Sequence, residues 1–237
     1  IHRESPNKGY RRIRDDLDKY YHTPVNDKRT LRICRGLGIQ SVVKHAPHGC
    51  TRAASSPRQL AENVLDRQFY ADRPNEKWLT DVTEFHYYTG TNMRKLYLSA
   101  ILDLCDRRIV SFVIRDTNDA ALVHRTLAQA LEGNPGARPL LHSDRGSAYT
   151  TQIFHDKLAA AGITQSMSRV GKCIDNGPME GFWGILKRER YYGRRFTSRE
   201  QLVKMIQEYI TYYNFHRLQR GLGVRTPMEV HDRLLAA

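Results

Sequence analysis

The chain has 237 residues, of which 40% are hydrophobic, and its 38 Lys and Arg against 25 Asp and Glu give a formal net charge of +13. This length accommodates one good-sized domain with a buried core and a small appendage. The sequence contains neither an apolar run of about eighteen residues nor an apolar core behind its basic N-terminus. We therefore expect no membrane span, no secretory signal and a cytoplasmic location.

The positive charge is concentrated in two flanks of the chain. Residues 1–57 carry twelve Lys and Arg against five Asp and Glu, residues 187–220 carry nine against three, and the remainder is balanced. This distribution predicts contacts with a phosphate backbone on either side of a reaction centre, with an affinity that depends on salt. A solvated basic surface is the alternative interpretation.

Residues 1–44 are predicted to form two short basic helices. Apolar residues recur at helical spacing between Tyr10 and Leu17, and Asn26 or Asp27 can cap a second helix that ends near Gly36. Two helices around a turn are typical of a helix-turn-helix that binds DNA. An α-hairpin that only packs on the core is the alternative.

The region 73–190 is predicted to be an α/β domain. Three antiparallel strands come first, at Lys77–Tyr87, Arg94–Leu102 and Arg108–Ile114. The later elements are a helix capped within Thr117–Asp119, a strand ending at His142, a helix at Gln152–Ala161, a strand at Ile163–Ser166 and a helix that carries Glu180. This order predicts a ribonuclease-H-like fold, a mixed five-stranded sheet flanked by helices, in which the first and fourth strands can lie side by side.

Two segments flank this domain, residues 45–72 before it and a helical C-terminal extension, residues 191–237, after it. Their predicted elements are a Pro-, Gly- and Ser-rich linker at His45–Pro57, a short helix at about Pro57–Tyr70, a periodic helix at Ser198–Tyr213 and a last helix beginning at Thr226-Pro227.

Three acids occupy positions that suggest a shared task. Asp81 interrupts an apolar, β-branched strand, where a carboxylate is costly unless it is paired or bound to metal. Asp144 follows the strand that ends at His142, and Glu180 lies on a helix that Asp175 or Asn176 can cap. Carboxylates that converge from two strands and a helix would bind two Mg²⁺ or Mn²⁺ ions, an arrangement suited to phosphodiester chemistry.

The residues around these acids form recognisable motifs. They are Trp78-x-x-Asp81-x-Thr83, His142-Ser143-Asp144-Arg145-Gly146 and Asp175-Asn176-x-x-x-Glu180, with 35 residues between the last two acids, and, outside the core, Asn63-x-Leu65-x-Arg67-x-Phe69 and Tyr213-Asn214-x-x-Arg217. The whole pattern resembles the integrase core of transposases of insertion sequence family three, which are related to retroviral integrases. The similarity extends over nearly the entire chain.

The resemblance implies a DDE transposase that cleaves DNA at insertion-sequence ends and transfers the strands, with no covalent enzyme intermediate. Asp81, Asp144 and Glu180 would be the ligands of two Mg²⁺ (or Mn²⁺) ions. In this family a helical DNA-binding segment precedes the core, so four basic side chains would face phosphates there: Lys28, Arg29, Arg32 and Arg35. Further DNA contacts are expected from His142, Arg145, Asn176, Lys187, Tyr213, Asn214 and Arg217.

Several of these assignments have alternatives. His142 is equally consistent with a buried, hydrogen-bonded core residue, and the Tyr213-Asn214 cluster with a packed corner. Lys187 could be an ordinary exposed helix residue. At the level of function, the rivals are a ribonuclease-H-like nuclease without strand transfer and a noncatalytic DNA-binding remnant of a decayed element.

The resemblance also implies partners. They are double-stranded DNA, both insertion-sequence ends and target, and further copies of the chain, because transposition holds two ends together. The family includes a helix-turn-helix and a coiled coil encoded in an upstream reading frame, as a separate protein or a fusion. This sequence has no sustained heptad run, so we expect weak recognition of the ends by this chain alone.

Overall fold

The computed structural model describes residues 1–43, 60–169 and 173–236 of the chain. Its strands are β1 (Lys77–Thr89), β2 (Asn92–Asp103), β3 (Ile109–Arg115), β4 (Leu140–Ser143) and β5 (Thr164–Met167). Its helices are α1 (Tyr10–Tyr21), α2 (Asp27–Gly36), α3 (Ala120–Gly133), α4 (Gln152–Ala160), α5 (Gly177–Leu186), α6 (Arg199–Phe215) and α7 (Pro227–Leu235). Within the described ranges, no helix is long and apolar enough to cross a membrane.

The described strands form one mixed sheet in the order β3-β2-β1-β4-β5. The first three strands pair antiparallel, whereas β4 pairs parallel with β1 and β5 pairs parallel with β4. The predicted five-stranded sheet flanked by helices is confirmed, and so is the prediction that the first and fourth strands are neighbours.

The pairing of β1 with β4 determines where two of the acids lie. Leu79 of β1 stands opposite His142 of β4. Asp81 and Asp144 each follow two residues later along parallel strands, so this register brings them to the same level of the sheet. The two carboxylates are therefore neighbours because of backbone pairing, although 62 residues lie between them in the sequence.

Hydrophobic side chains build a separate core on each face of the sheet. Alternation along β1 sends Trp78 to the face covered by α3 and α4, and Leu79 and Phe85 to the face covered by α5 and α6. All three side chains are completely buried. Burial of one such Leu or Phe contributes about 1.5 to 3 kcal/mol, so the two cores hold the helices firmly on the strands.

Most of the predicted helix starts are confirmed by side-chain caps. Asn26, Ser198 and Thr226 each accept a hydrogen bond from a backbone N–H three residues ahead, which stabilises a helix by about 1 kcal/mol. Helix α5 differs, because Asn176 occupies the cap position without a capping hydrogen bond from its side chain. The predicted capping role of Asp175 or Asn176 is therefore wrong, and both side chains bind elsewhere.

The helix predicted for Pro57–Tyr70 is absent from its described part. Residues 60–70 are irregular, Leu60 and Val64 are exposed, and only Leu65 is fully buried. Leu60, Val64, Leu65 and Phe69 recur at helical spacing. No helix forms because Asp66 and Arg67 adopt left-handed backbone angles, φ 40° and φ 59°, which no α-helix can contain. The predicted linker at His45–Pro57 falls outside the described residues.

The N-terminal helices dock through ion pairs on the end of the core region and on the C-terminal extension. Arg12 of α1 binds Glu189 at 2.7 Å, and Arg220 binds Asp15 and Asp27 at 2.8 Å each. Part of the positive charge of residues 187–220 is therefore compensated by acidic side chains of the N-terminal helices. The α-hairpin interpretation accounts for these contacts, while the opposite side of α2 stays exposed.

Candidate active site

Asp81 lies in the middle of β1 with its side chain half-buried. The Trp183 indole Nε1–H of α5 donates a hydrogen bond of 2.9 Å to Asp81 Oδ2. Burial raises the pKa of Asp81 to about 7, the neighbouring carboxylates of Asp144 and Glu180 raise it further, and the indole bond opposes the shift. Asp81 is thus held in one orientation and is electrostatically coupled to both other acids.

Asp144 stands in the turn directly after β4. The residue is exposed, but its carboxylate lies against protein atoms that displace water, and this desolvation raises its pKa. The Gly146 N–H donates a 2.9 Å hydrogen bond to Asp144 Oδ1. A Cβ at Gly146 would lie 2.9 Å from that same oxygen, so any larger residue here would displace the carboxylate from this position.

Glu180 is presented by α5, whose apolar side is buried against the sheet through Met179, Phe182, Trp183 and Leu186. Glu180 points away from that side and is exposed, and partial desolvation raises its pKa. The three acids therefore come from β1, from the end of β4 and from α5. These are the elements to which the sequence assigns them, a strand, a strand end and a helix.

The carboxylates of these three acids are candidate ligands of a divalent cation. In the described part of the chain, no three His, Cys, Asp or Glu side chains are already closed around a common point. The chemistry of the three acids nevertheless fits a hard divalent cation, because their raised pKa values reflect desolvation, with mutual repulsion added at Asp81, and no Lys or Arg of the described residues forms an ion pair with them. A cation bound by carboxylate oxygens would relieve that repulsion.

Lys187 follows α5 directly, at the start of a π-helical turn, Lys187–Tyr191. Its ammonium lies 5.0 Å from the centre of the Phe85 ring. Burial lowers the pKa of Lys187, while Asp81 and Glu84 act in the opposite direction. The structure thus places this amine near Asp81, at the border of the site, rather than out in solvent.

Arg145 and His142 flank Asp144 but have different environments. Arg145 is half-buried and donates from Nε to the Ser168 carbonyl at 2.7 Å. His142 is fully buried, with Nδ1 2.9 Å from Ser166 Oγ and Nε2 3.1 Å from Ser168 Oγ, and burial lowers its pKa to about 4. The structure favours the core interpretation of His142, because a neutral, enclosed imidazole presents nothing to DNA.

Asn176 lies behind the site instead of on its surface. Only 4% of the residue is exposed, and its amide Nδ2 donates to the Thr80 carbonyl at 3.2 Å, next to Asp81. Its Oδ1 is buried without a hydrogen-bond partner among the described residues. This contact ties the start of α5 to β1.

The cluster at the C-terminal end of α6 is a packed corner. Tyr213 packs edge-to-face on Phe182 at 4.7 Å between ring centres. Asn214 binds both the N–H and the carbonyl of Ile109, at 2.9 and 3.0 Å, and the guanidinium of Arg217 pairs with Glu189 at 2.9 Å. The DNA contacts expected from these three residues receive no support from the geometry, because their polar groups are already engaged.

The basic side chains of α2 are exposed to solvent, in contrast to the buried polar groups of that corner. All four are exposed, and none pairs with an acid in the described residues: Lys28, Arg29, Arg32 and Arg35. The buried side of α2 consists of Thr30 and Cys34, whereas the apolar side chains of Ile33 and Leu37 are exposed. The helix thus leaves an uncompensated positive face toward solvent.

Two side chains that support the site were not predicted. The helical spacing of Trp183 with Met179 and Leu186 is typical of a core residue, and its indole N–H reaches Asp81 only because of how α5 crosses β1. Tyr149 is buried with its hydroxyl 3.3 Å from Thr80 Oγ1, and burial, with Asp81 and Asp144, raises its pKa well above the usual value. No sequence spacing signals either contact.

Family models match most of the chain. Two models described as integrase core domain match residues 71–173 and 161–227, and one described as HTH-like domain matches residues 1–47. An uncharacterized transposase-like protein of Haemophilus influenzae is 40% identical over 211 residues, which are 89% of this chain and 95% of that protein. The putative transposase of element IS150 from Escherichia coli K12 is 38% identical over 226 residues, 95% of this chain and 77% of that protein.

Further similarities extend to another insertion element and to viral structures. The transposase of IS3A from Escherichia coli K12 is 30% identical over 237 residues, 96% of this chain and 78% of that protein. The simian T-cell lymphotropic virus intasome, solved with the B56 gamma subunit of PP2A, contains a chain with a TM-score of 0.58 and 19% identity, covering 92% of this chain and 73% of that one. At this identity the structural match shows a shared fold.

Asp81→Asn is expected to stabilise the cation-free protein at alkaline pH. The folded state binds the Asp81 proton more tightly than the unfolded state, so the wild-type chain loses stability as pH rises from about 4 to about 7, whereas the amide does not ionise. After allowance for partial exposure, we expect a gain of about 1 to 2 kcal/mol in the free energy of unfolding at about pH 8 and none at about pH 4.

Chemical denaturation in EDTA at both pH values measures this difference. The matched control is Asp116→Asn, which removes an exposed carboxylate paired with Arg199 and should show no such gain. An Asp81→Asn protein that is less stable than wild type at the higher pH would contradict the assignment of a desolvated, repelled carboxylate.

Proposed function

Since the chain belongs to the transposases of insertion sequence family three, which carry an integrase core, we propose that Asp81, Asp144 and Glu180 bind the divalent cations of its DNA cleavage and strand-transfer reactions. The observation that carries the proposal is the state of Asp81. Its carboxylate is half-buried, coupled to the other two acids and without an ion pair in the described residues. A desolvated carboxylate without an ion pair lowers the stability of the folded protein, and a bound cation would offset that loss.

Each acid has a defined task in this proposal. Asp81 and Asp144 supply oxygens from neighbouring strands, and Glu180 supplies them from the facing helix. Two Mg²⁺ or Mn²⁺ ions, when bound, would activate the attacking oxygen and stabilise the leaving 3′-oxygen. The Trp183 N–H fixes the rotamer of Asp81, and the Gly146 N–H fixes that of Asp144. The chain's contribution is therefore the placement of oxygens before substrate arrives.

Two basic groups border the acids and are suited to the substrate. Lys187 carries a partly desolvated ammonium near Asp81, where a phosphate next to the scissile bond would replace its lost hydration. Arg145 uses Nε to hold its own turn, and the proposal assigns the other end of its guanidinium to the DNA backbone. In contrast, Asn176 is not assigned to the substrate, because its side chain is buried and donates a hydrogen bond to the backbone of β1.

The three segments of the chain have different roles in this proposed function. Residues 73–190 carry the chemistry, residues 1–44 bind double-stranded DNA through the exposed face of α2, and residues 191–237 dock the N-terminal helices on the core. Transposition joins two element ends to a target, so the working form is a homo-oligomer. Recognition of the ends would be completed by the helix-turn-helix protein of the upstream frame or by its fusion to this chain.

Strand transfer is expected to depend on each acid. The purified chain, given Mn²⁺ and a labelled precut duplex of its own element's terminal repeat, should join the labelled strand to target DNA. Asp144→Asn and Glu180→Gln should each reduce joining at least about a hundredfold, because each removes an oxygen that is needed in the transition state. The Asp116→Asn control should join at the wild-type rate.

The products distinguish the rival functions. Cation-dependent fragments without joined strands would replace the proposal with a nuclease. DNA binding by a folded wild-type chain without any reaction, with or without the upstream partner, would indicate a noncatalytic remnant.

The basic face of α2 is expected to bind DNA by its charge. Replacing Lys28, Arg29, Arg32 and Arg35 together by Ala should flatten the dependence of log affinity on log salt by about 0.9 for each phosphate that the helix no longer neutralises. Fluorescence anisotropy with a duplex over a series of salt concentrations measures the slope. The control is Asn214→Ala, which should lower thermal stability and leave the slope unchanged, because Asn214 binds only the Ile109 backbone. An unaltered slope in the α2 variant would assign this helix to packing alone.

A further inference from the structure

The carboxylate of Asp175 is the most heavily hydrogen-bonded acid near the site. Its side chain is completely buried in the 3₁₀ turn Cys173–Asn176, immediately before α5. It accepts hydrogen bonds from Arg169 N, Nε and Nη2 at 3.1, 2.9 and 2.9 Å, from Arg67 Nε at 2.7 Å and from Asn63 Nδ2 at 3.3 Å. The bonds from Arg169, more than any other contact, hold the pKa of Asp175 well below its usual range.

These donors come from two different parts of the chain. Asn63 and Arg67 belong to the irregular segment 60–70 that precedes β1, and Arg169 follows the end of β5. One buried carboxylate therefore joins three segments: the segment before the core, the edge of the sheet and the start of α5. We call Asp175 and its three donors the Asp175 clamp.

The clamp explains the motif Asn63-x-Leu65-x-Arg67-x-Phe69. Two of its residues donate to Asp175, and Leu65 is buried with its N–H donating to Ser166 Oγ at 3.1 Å. The ring of Phe69 would lie 3.8 Å from a Cβ placed on Gly177, the first residue of α5. All four motif residues thus pack around β5 or the beginning of the helix that carries Glu180.

The backbone around Arg67 is strained, which shows that this geometry is enforced. Asp66 and Arg67 have φ angles of 40° and 59°, a region that costs a non-glycine residue of order 1 kcal/mol each. The Asp66 N–H donates to Asn63 Oδ1 at 3.0 Å, and the Arg67 side chain ends on Asp175. Asn63 and Arg67 therefore stabilise the strained turn and also bind Asp175 at the start of the helix that carries Glu180.

We propose that Asp175, held by Arg67 and Arg169, is a positioning residue that sets the place of Glu180 relative to Asp81 and Asp144. The inference rests on the proposed function of Glu180 as a cation ligand. Glu180 lies in the first turn of α5, five residues after Asp175, so a shift at the clamp is passed to it by a rigid helix. Asn176, the next residue, binds the Thr80 carbonyl and fixes the same helix start against β1, beside Asp81.

The test measures cation binding without DNA and therefore does not depend on activity. Free Mn²⁺ is titrated by electron paramagnetic resonance in the presence of the full chain and of its variants. Asp175→Asn keeps the shape of the side chain but loses its charge, and it should weaken Mn²⁺ binding about tenfold, as expected for a group that orients a ligand. Arg67→Gln removes one of two arginines and should weaken binding about threefold, which keeps the test decisive if Asp175→Asn does not fold.

The chain offers a matched control at a distance from the site. Asp15 is also buried and is also held by two arginines, Arg14 and Arg220. Asp15→Asn should cost comparable thermal stability and leave the Mn²⁺ affinity unchanged. DNA affinity is measured in parallel, because Arg67 and Arg169 are partly exposed.

Three outcomes are informative. Weakened Mn²⁺ binding in Asp175→Asn and Arg67→Gln, beyond that of Asp15→Asn and with DNA affinity intact, supports the clamp. If Glu180→Gln weakens Mn²⁺ binding but both clamp variants bind like wild type, or lose only DNA affinity, the clamp inference is overturned and the proposed function stands. If Glu180→Gln has no effect on Mn²⁺ binding, the proposed function itself fails.

Discussion

The parallel pairing of β1 with β4 is the constraint on which the rest of the site depends. Leu79 opposite His142 sets the register, and a change of one residue would turn Asp144 away from the face that carries Asp81. On its other side β4 is joined to β5, since the two ring nitrogens of His142 lie within hydrogen-bond distance of Ser166 on β5 and of Ser168 just beyond it. A histidine that the sequence offers as a candidate DNA contact thus belongs to the buried scaffold beside Asp144.

The acids of the scaffold form ion pairs with arginine, whereas the acids of the proposed site do not. Asp15, Asp175 and Glu189 are each bound by arginine side chains, and these contacts join segments distant in the sequence. The three acids of the proposed site have no such partner among the described residues, although the chain carries a net charge of +13. Basic residues are abundant, so the lack of an ion pair at these three acids suits the binding of an external cation, and Lys187 at the border of the site suits a polyanionic substrate.

The sequence predicted the larger features because they depend on local patterns. Strand alternation, helix periodicity and caps such as Thr226 identify the elements, and the order of elements restricts the sheet topology. The contacts of Asp175, Asn214 and Trp183 could not be predicted, because each joins segments far apart and depends on the angle at which helices cross the sheet. The same limit explains the error at residues 60–70, where the side chains of an irregular segment imitate helical spacing.

The central claim is that Asp81, Asp144 and Glu180 form one cation site, and crystals of the chain grown with Mn²⁺ test it most directly. Anomalous scattering locates the ion independently of any assumption about the reaction. The account predicts a peak within about 2.0 to 2.6 Å of carboxylate oxygens from Asp81 and Asp144, with Glu180 oriented toward it. Mn²⁺ bound only elsewhere, or no peak between these acids at a concentration that supports strand transfer, would contradict it.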